Sequence, residues 1–71
     1  MSLTPKEEEM CRYIIQGKSN KEIAFEMGIC ETTLKKHLYN AFKGSNTYNR
    51  VGLAMYYLKM KGMLKYDTKN I

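Results

Sequence analysis

The stretch that most constrains this chain is Ser19 to Asn40, SNKEIAFEMGICETTLKKHLYN. It reads as two short helices joined by a glycine turn at Gly28, the second apolar on one face and lysine-bearing on the other. That is the layout of a helix-turn-helix, in which the first helix and the turn hold the second rigidly with its outer face free. Ala24 is small enough for the next helix to cross closely, Gly28 permits positive φ in the turn, and Leu34 follows at the spacing expected for the first buried residue of the second helix. Ile29 plugs the turn, and Ile23 and Met27 point inward with Ala24.

The flanks extend this unit to four helices, and none of the chain reads as strand. At 71 residues, the chain is expected to be a single all-α domain near the lower size at which one core suffices. Helix one begins at Thr4-Pro5-Lys6-Glu7, where Thr4 can cap, Pro5 suits the first helical position and Glu7 closes a capping box. Leu3 stands where a hydrophobic staple would be, Met10, Cys11, Ile14 and Ile15 form the expected buried stripe, and Gly17 stops the helix. The acidic run Glu7-Glu8-Glu9 lies in the first turn, where it complements the helix dipole and is expected to be a solvated, stabilising cluster. A second capping box, Ser19-Asn20-Lys21-Glu22, opens helix two.

Helix three is expected from about Glu31 to Phe42, with Leu34, Leu38, Ala41 and Phe42 inward. Cys30 takes its N-cap position, and because cysteine caps poorly compared with serine, this end is expected to fray or to lean on Thr33. Helix four is expected from about Asn49 to Lys61 and carries two apolar stripes. Val51, Ala54, Met55 and Leu58 make one; Leu53, Tyr57, Met60 and Leu64 make the other. A surface helix of a small monomer needs only one, so one stripe is assigned to the core and the other, Leu53, Tyr57, Met60 and Leu64, to a dimer contact. Lys59, Lys61, Lys65 and Lys69 read as solubilising, and residues 66–71 show no periodicity and are expected to fray.

The outer face of helix three supplies the functional signal. Thr32, Lys35, Lys36, Tyr39 and Lys43 share that face, on the helix a helix-turn-helix presents to the DNA major groove. Lysines can donate to guanine O6 and N7 or to phosphate, and Tyr39 offers a ring and a hydroxyl to a thymine methyl or a phosphate. Thr32 and Thr33 can reach phosphate beside the free amides of the helix start. His37 lies between the two faces, open to packing, a backbone hydrogen bond or DNA. A formal charge of +5 and a pI near 9.3 agree with a polyanionic partner.

Other classes find little support. No stretch approaches the ~20 apolar residues of a membrane span, no secretory signal is recognisable, and a cytoplasmic, nucleoid-associated location is expected. Cys11 and Cys30 have one histidine and no further metal-type ligand near them, so no metal or cofactor is expected and both are read as reduced gap-fillers. No phosphate loop, carboxylate pair or activated nucleophile suggests an enzyme.

Taken together, Leu3-Thr4-Pro5-Lys6-Glu7, Gly17, Ser19-Asn20-Lys21-Glu22-Ile23-Ala24, Thr33-Leu34-Lys35-Lys36-His37, Asn40 and Asn49-Arg50 resemble the LuxR/GerE-type DNA-binding domain, over roughly Leu3 to Leu64. The resemblance implies a four-helix domain that binds double-stranded DNA as a homodimer through helix four and regulates transcription. Carried over position by position, it implies base contacts by Lys35, Lys36 and Tyr39 and phosphate contacts by Asn20, Lys21 and Thr33, to which the outer face adds Thr32 and Lys43. RNA polymerase or a related regulator are the further partners it implies. With no sensing domain before the motif, a chain that is complete at this length resembles the stand-alone regulators of the family, whereas a fragment of a longer protein would lack a receiver or ligand-binding domain. Three positions depart from its pattern. Cys30 replaces a serine or threonine, Tyr39 stands where a small or basic residue is frequent, and Lys43-Gly44-Ser45-Asn46-Thr47 replaces a lysine-leucine-glycine-valine junction. That junction lacks two apolar contributions, so the approach of helix four is expected to differ. A different class also fits: a protein-interaction module that heterodimerises through helix four with a related transcription factor and modulates it.

Overall fold

A computed structural model describes residues 3–62. Four helices follow one another: α1 (Pro5–Ile15), α2 (Asn20–Met27), α3 (Glu31–Ser45) and α4 (Arg50–Met60). There is no strand among the described residues. Both expected capping boxes form. Thr4 Oγ1 accepts from the Glu7 amide at 3.2 Å while Glu7 Oε1 accepts from the Thr4 amide at 2.9 Å. Ser19 and Glu22 repeat the exchange at 3.1 and 2.8 Å. Each box satisfies two amides that the first helical turn would leave without partners.

The turn between α2 and α3 is closed by Gly28 at φ 70° and ψ 32°, with the Ile29 amide donating to the Ala24 carbonyl at 3.0 Å. A side chain would strain that left-handed backbone, which is why the turn takes glycine. The core comprises Leu3, Met10, Cys11, Ile14, Ile23, Ala24, Leu34, Leu38, Ala41, Leu53 and Tyr57, with Met27, Ile29 and Phe42 packed against it. α1 packs against all three other helices, α2 against α3, and α3 against α4, whereas α2 and α4 do not pack on each other.

Five expectations are corrected. Ile15 is 39% exposed, because it turns away from the stripe that Met10, Cys11 and Ile14 send inward. Glu7 is buried by its own capping bonds rather than solvated, and Glu8 pairs with Lys61 at 3.0 Å, so Lys61 ties α4 back to α1 instead of serving only solubility.

α3 runs past Phe42 to Ser45. The buried Ser45 hydroxyl donates to the Ala41 carbonyl at 2.7 Å, which leaves the Thr47 hydroxyl, 2.8 Å away, as donor to it. Asn46 then ends the helix at φ 58°, and the Thr47 amide returns to the Phe42 carbonyl at 2.9 Å. A polar side chain thus occupies a buried junction position by satisfying itself on the preceding turn.

The fifth correction concerns α4. Leu53 and Tyr57, assigned to a partner, are 0% and 2% exposed and belong to the domain's own core. Val51 and Met55, assigned to the core, are 72% and 37% exposed. Met60 is 38% exposed, and Leu64 lies outside the described residues, as do Lys65, Lys69 and residues 66–71. The phase of the helix follows from its start. Asn49 Oδ1 caps it by accepting from the Gly52 amide at 2.8 Å, and Arg50 reaches inward to the segment before α2. Leu53 and Tyr57, three and seven residues after Arg50, share its face and turn inward with it.

Candidate nucleic-acid interface

The inward anchors of α3 are Leu34, Leu38 and Ala41, all buried. A helix pinned on that side must present the positions between them to solvent. Thr32, Lys35, Lys36 and Tyr39 are exposed there, and with Asn40 they line one surface depression. Tyr39 is 62% exposed, and Lys43 Nζ sits 5.2 Å from the centre of its ring. That cation–π contact, one turn apart, steadies a largely exposed aromatic side chain, at about 0.5–1 kcal/mol for an exposed pair. His37 is half-buried, between the two faces.

The start of α3 follows the expectation for a cysteine at its N-cap. Cys30 makes no capping hydrogen bond to the helix, and its Sγ lies 3.3 Å from Thr33 Oγ1. The exposed thiol leans on Thr33, whose hydroxyl, helped by neighbouring backbone amides, lowers its pKa. Cys11 is the opposite case. Burial foremost, then the charges of Glu7 and Glu8, push its thiol from 9.0 to about 11. No group of three or more metal-type ligands occurs among the described residues.

The remaining phosphate candidates lie at the start of α2. Lys21 is exposed. Asn20 is half-buried, and its carbonyl is occupied: Arg50 donates through Nη1 to Asn20 Oδ1 at 2.5 Å and through Nη2 to the Lys18 carbonyl at 2.7 Å. Arg50 thus joins two helices that share no packing of their own. Sequence reasoning missed this role, although Arg50 stood in the matched motif Asn49-Arg50. An arginine in the first turn of a helix is a signal in itself, since the dipole there disfavours a cation unless something compensates it. Asn40 was also passed over as a lining residue.

What these residues can do chemically is donate. The face carries ammonium, hydroxyl and amide donors with an aromatic ring among them, and it suits an acceptor-rich, anionic surface. Comparison with known proteins gives the same direction. Residues 1–57 match the family model of bacterial regulatory proteins of the luxR family, GerE. The nitrate/nitrite response regulator protein NarP of Escherichia coli K12 is 35% identical over 60 residues, covering 84% of this chain and 28% of that protein. The CsgBAC operon transcriptional regulatory protein of the same organism is 46% identical over 48 residues, covering 68% and 22%. The transcriptional regulatory protein MctR of Rhizobium johnstonii is 39% identical over 56 residues, covering 79% and 26%. The chain therefore spans about a quarter of the length of these curated relatives. With four helices, a glycine-turned helix-turn-helix and a match across most of its length, this chain belongs to the luxR family of bacterial regulatory proteins, as a helix-turn-helix DNA-binding domain.

Proposed function

We propose that the domain binds specific double-stranded DNA as a symmetric dimer and regulates transcription by placing α3 in the major groove. The observation that carries this reading is the common exposure of Thr32, Lys35, Lys36 and Tyr39 around one depression on the outer face of α3. Lys35, Lys36 and Tyr39 read base edges. Lys21, Thr32, Thr33 and Lys43 hold phosphates on either side, and Asn20 joins them through its amide nitrogen. No described helix is long and apolar enough to cross a membrane; we place the protein in the cytoplasm, where its DNA is.

The second copy docks on the outer stripe of α4. Val51 and Met55 lie one turn apart on α4, Tyr48 is exposed just before the helix, and the domain's own core leaves Val51 and Tyr48 largely uncovered and Met55 partly so. A two-fold dimer built there sets two α3 helices about one DNA turn, ~34 Å, apart. Selection from randomised double-stranded DNA tests the reading, with sedimentation of the wild type and Met55→Glu in parallel. The expected products are two matching half-sites spaced by about one turn, and a dimer that Met55→Glu reduces to monomer. An unenriched pool would contradict specific binding. A wild type that stays monomeric at high concentration, with and without DNA, would contradict the dimer.

A further inference from the structure

We infer that Arg50 is a positioning residue for DNA binding: its guanidinium holds the Asn20 carbonyl and thereby turns the Asn20 amide nitrogen out toward a DNA phosphate. The inference rests on the DNA-binding reading above. Arginine can only donate, so the atom of Asn20 facing Nη1 at 2.5 Å must be the carbonyl oxygen, and the amide orientation is settled by chemistry. The opposite end of the same planar group, Nδ2, has no partner within the described residues, and no buried polar side-chain atom there is left unsatisfied. Nδ2 is therefore not sealed from solvent and has two donors to give, next in sequence to the exposed Lys21.

The second prong narrows the geometry further. Nη2 donates to the Lys18 carbonyl at 2.7 Å, so Arg50 grips the residues on either side of Ser19, the N-cap of α2. Because α2 and α4 share no packing, that grip fixes where the start of α2 stands relative to α4. It also gathers positive charge. Arg50 sits in the first turn of α4 and beside the first turn of α2, two places where the helix dipole disfavours a cation, and Lys18 and Lys21 adjoin it. A phosphate at Nδ2 would offset part of that positive charge.

A double-mutant cycle separates positioning from general support. DNA affinity is measured by fluorescence anisotropy for the wild type, Asn20→Ala, Arg50→Ala and the double variant, with folded fraction followed by circular dichroism in the same buffer. The wild type is expected to bind, and each single variant to lose about five- to tenfold, the range of one contact worth about 1–1.4 kcal/mol. The double variant is expected to lose no more than about twice the larger single loss, because Arg50 acts through Asn20. Arg50→Lys keeps the charge but not the two-pronged grip; it serves in the cycle if Arg50→Ala does not fold, with the same non-additivity expected. Losses that multiply, or an Arg50 variant that binds like the wild type while folded, would overturn the inference and leave the DNA reading standing. A folded wild type that binds no DNA would overturn both.

Discussion

Truncating Leu53 and truncating Val51 removes apolar atoms from the same helix, two residues apart, and the structure requires opposite outcomes. Leu53 is wholly buried among the core side chains, whereas Val51 is 72% exposed. Leu53→Ala loses the transfer energy of the removed carbons and leaves a cavity, about 2–5 kcal/mol in well-packed cores. At about 0.05–0.15 kcal/mol per residue, a chain of 71 residues has only about 4–10 kcal/mol of stability to lose. In a domain of this size each kcal/mol moves the midpoint by about 4–8 °C, so Leu53→Ala is expected to melt at least about 8 °C lower or not to fold. Val51→Ala is expected to stay within about 0.5 kcal/mol of the wild type when measured at protein concentrations where the chain is monomeric. Thermal and urea unfolding followed at 222 nm distinguish them. Equal destabilisation by the two changes, or a neutral Leu53→Ala, would refute the assignment of faces on α4.

Three further outcomes follow from individual residues. Cys30→Ser should raise stability by about 0.5–1 kcal/mol in urea unfolding by supplying the cap that α3 lacks, since the sulfur makes no capping bond; an unchanged midpoint would mean the first turn is satisfied otherwise. A thiol reagent on the native protein should modify the exposed Cys30 quickly and the buried Cys11 only on unfolding, read as single against double mass increments. The Cys11 thiol is neutral in the fold up to about pH 11 but ionises near 9.0 once unfolded, so the stability it contributes is complete below pH 9 and drains away as the pH rises through 11. The wild type should therefore lose stability faster than Cys11→Ala across that window, by at most about 1.4 kcal/mol per pH unit; parallel profiles would contradict the burial of the thiol.

The helix-turn-helix was legible because its signals are local and redundant. Ser19 and Glu22 announce a start, Gly28 a turn, and Leu34 with Leu38 an inward face, and each can be read within one or two helical turns. The outer face of α3 followed from those anchors. α4 was not legible in the same way, because apolar residues lie on both of its sides and periodicity alone cannot say which side meets the core. The contact that sets its phase, Arg50 to Asn20 and Lys18, joins residues about thirty positions apart and leaves no trace in local spacing. The end of α3 was missed for a related reason. Gly44 and Ser45 read as a break, yet Ser45 finds its partners on the preceding turn and continues the helix. A burial pattern built from polar atoms is invisible to a search for apolar ones.

If the outer face of α3 meets DNA, affinity for a selected site must depend on its lysines and fall with salt. Binding of the wild type and of Lys35→Ala/Lys36→Ala to a selected site is to be titrated by anisotropy at four or more salt concentrations. Lys21 and Lys43, the lysines assigned to phosphates, contribute about 0.9 each to the slope of log affinity against log salt, so a slope of at least about 1.8 should persist in the double variant. Its affinity for the selected site should also fall by at least about 30-fold, the lower range for two base-directed donors at about 1–3 kcal/mol each. A folded double variant with the wild-type affinity, or a wild type whose affinity does not fall with salt, would contradict the placement of α3 on DNA.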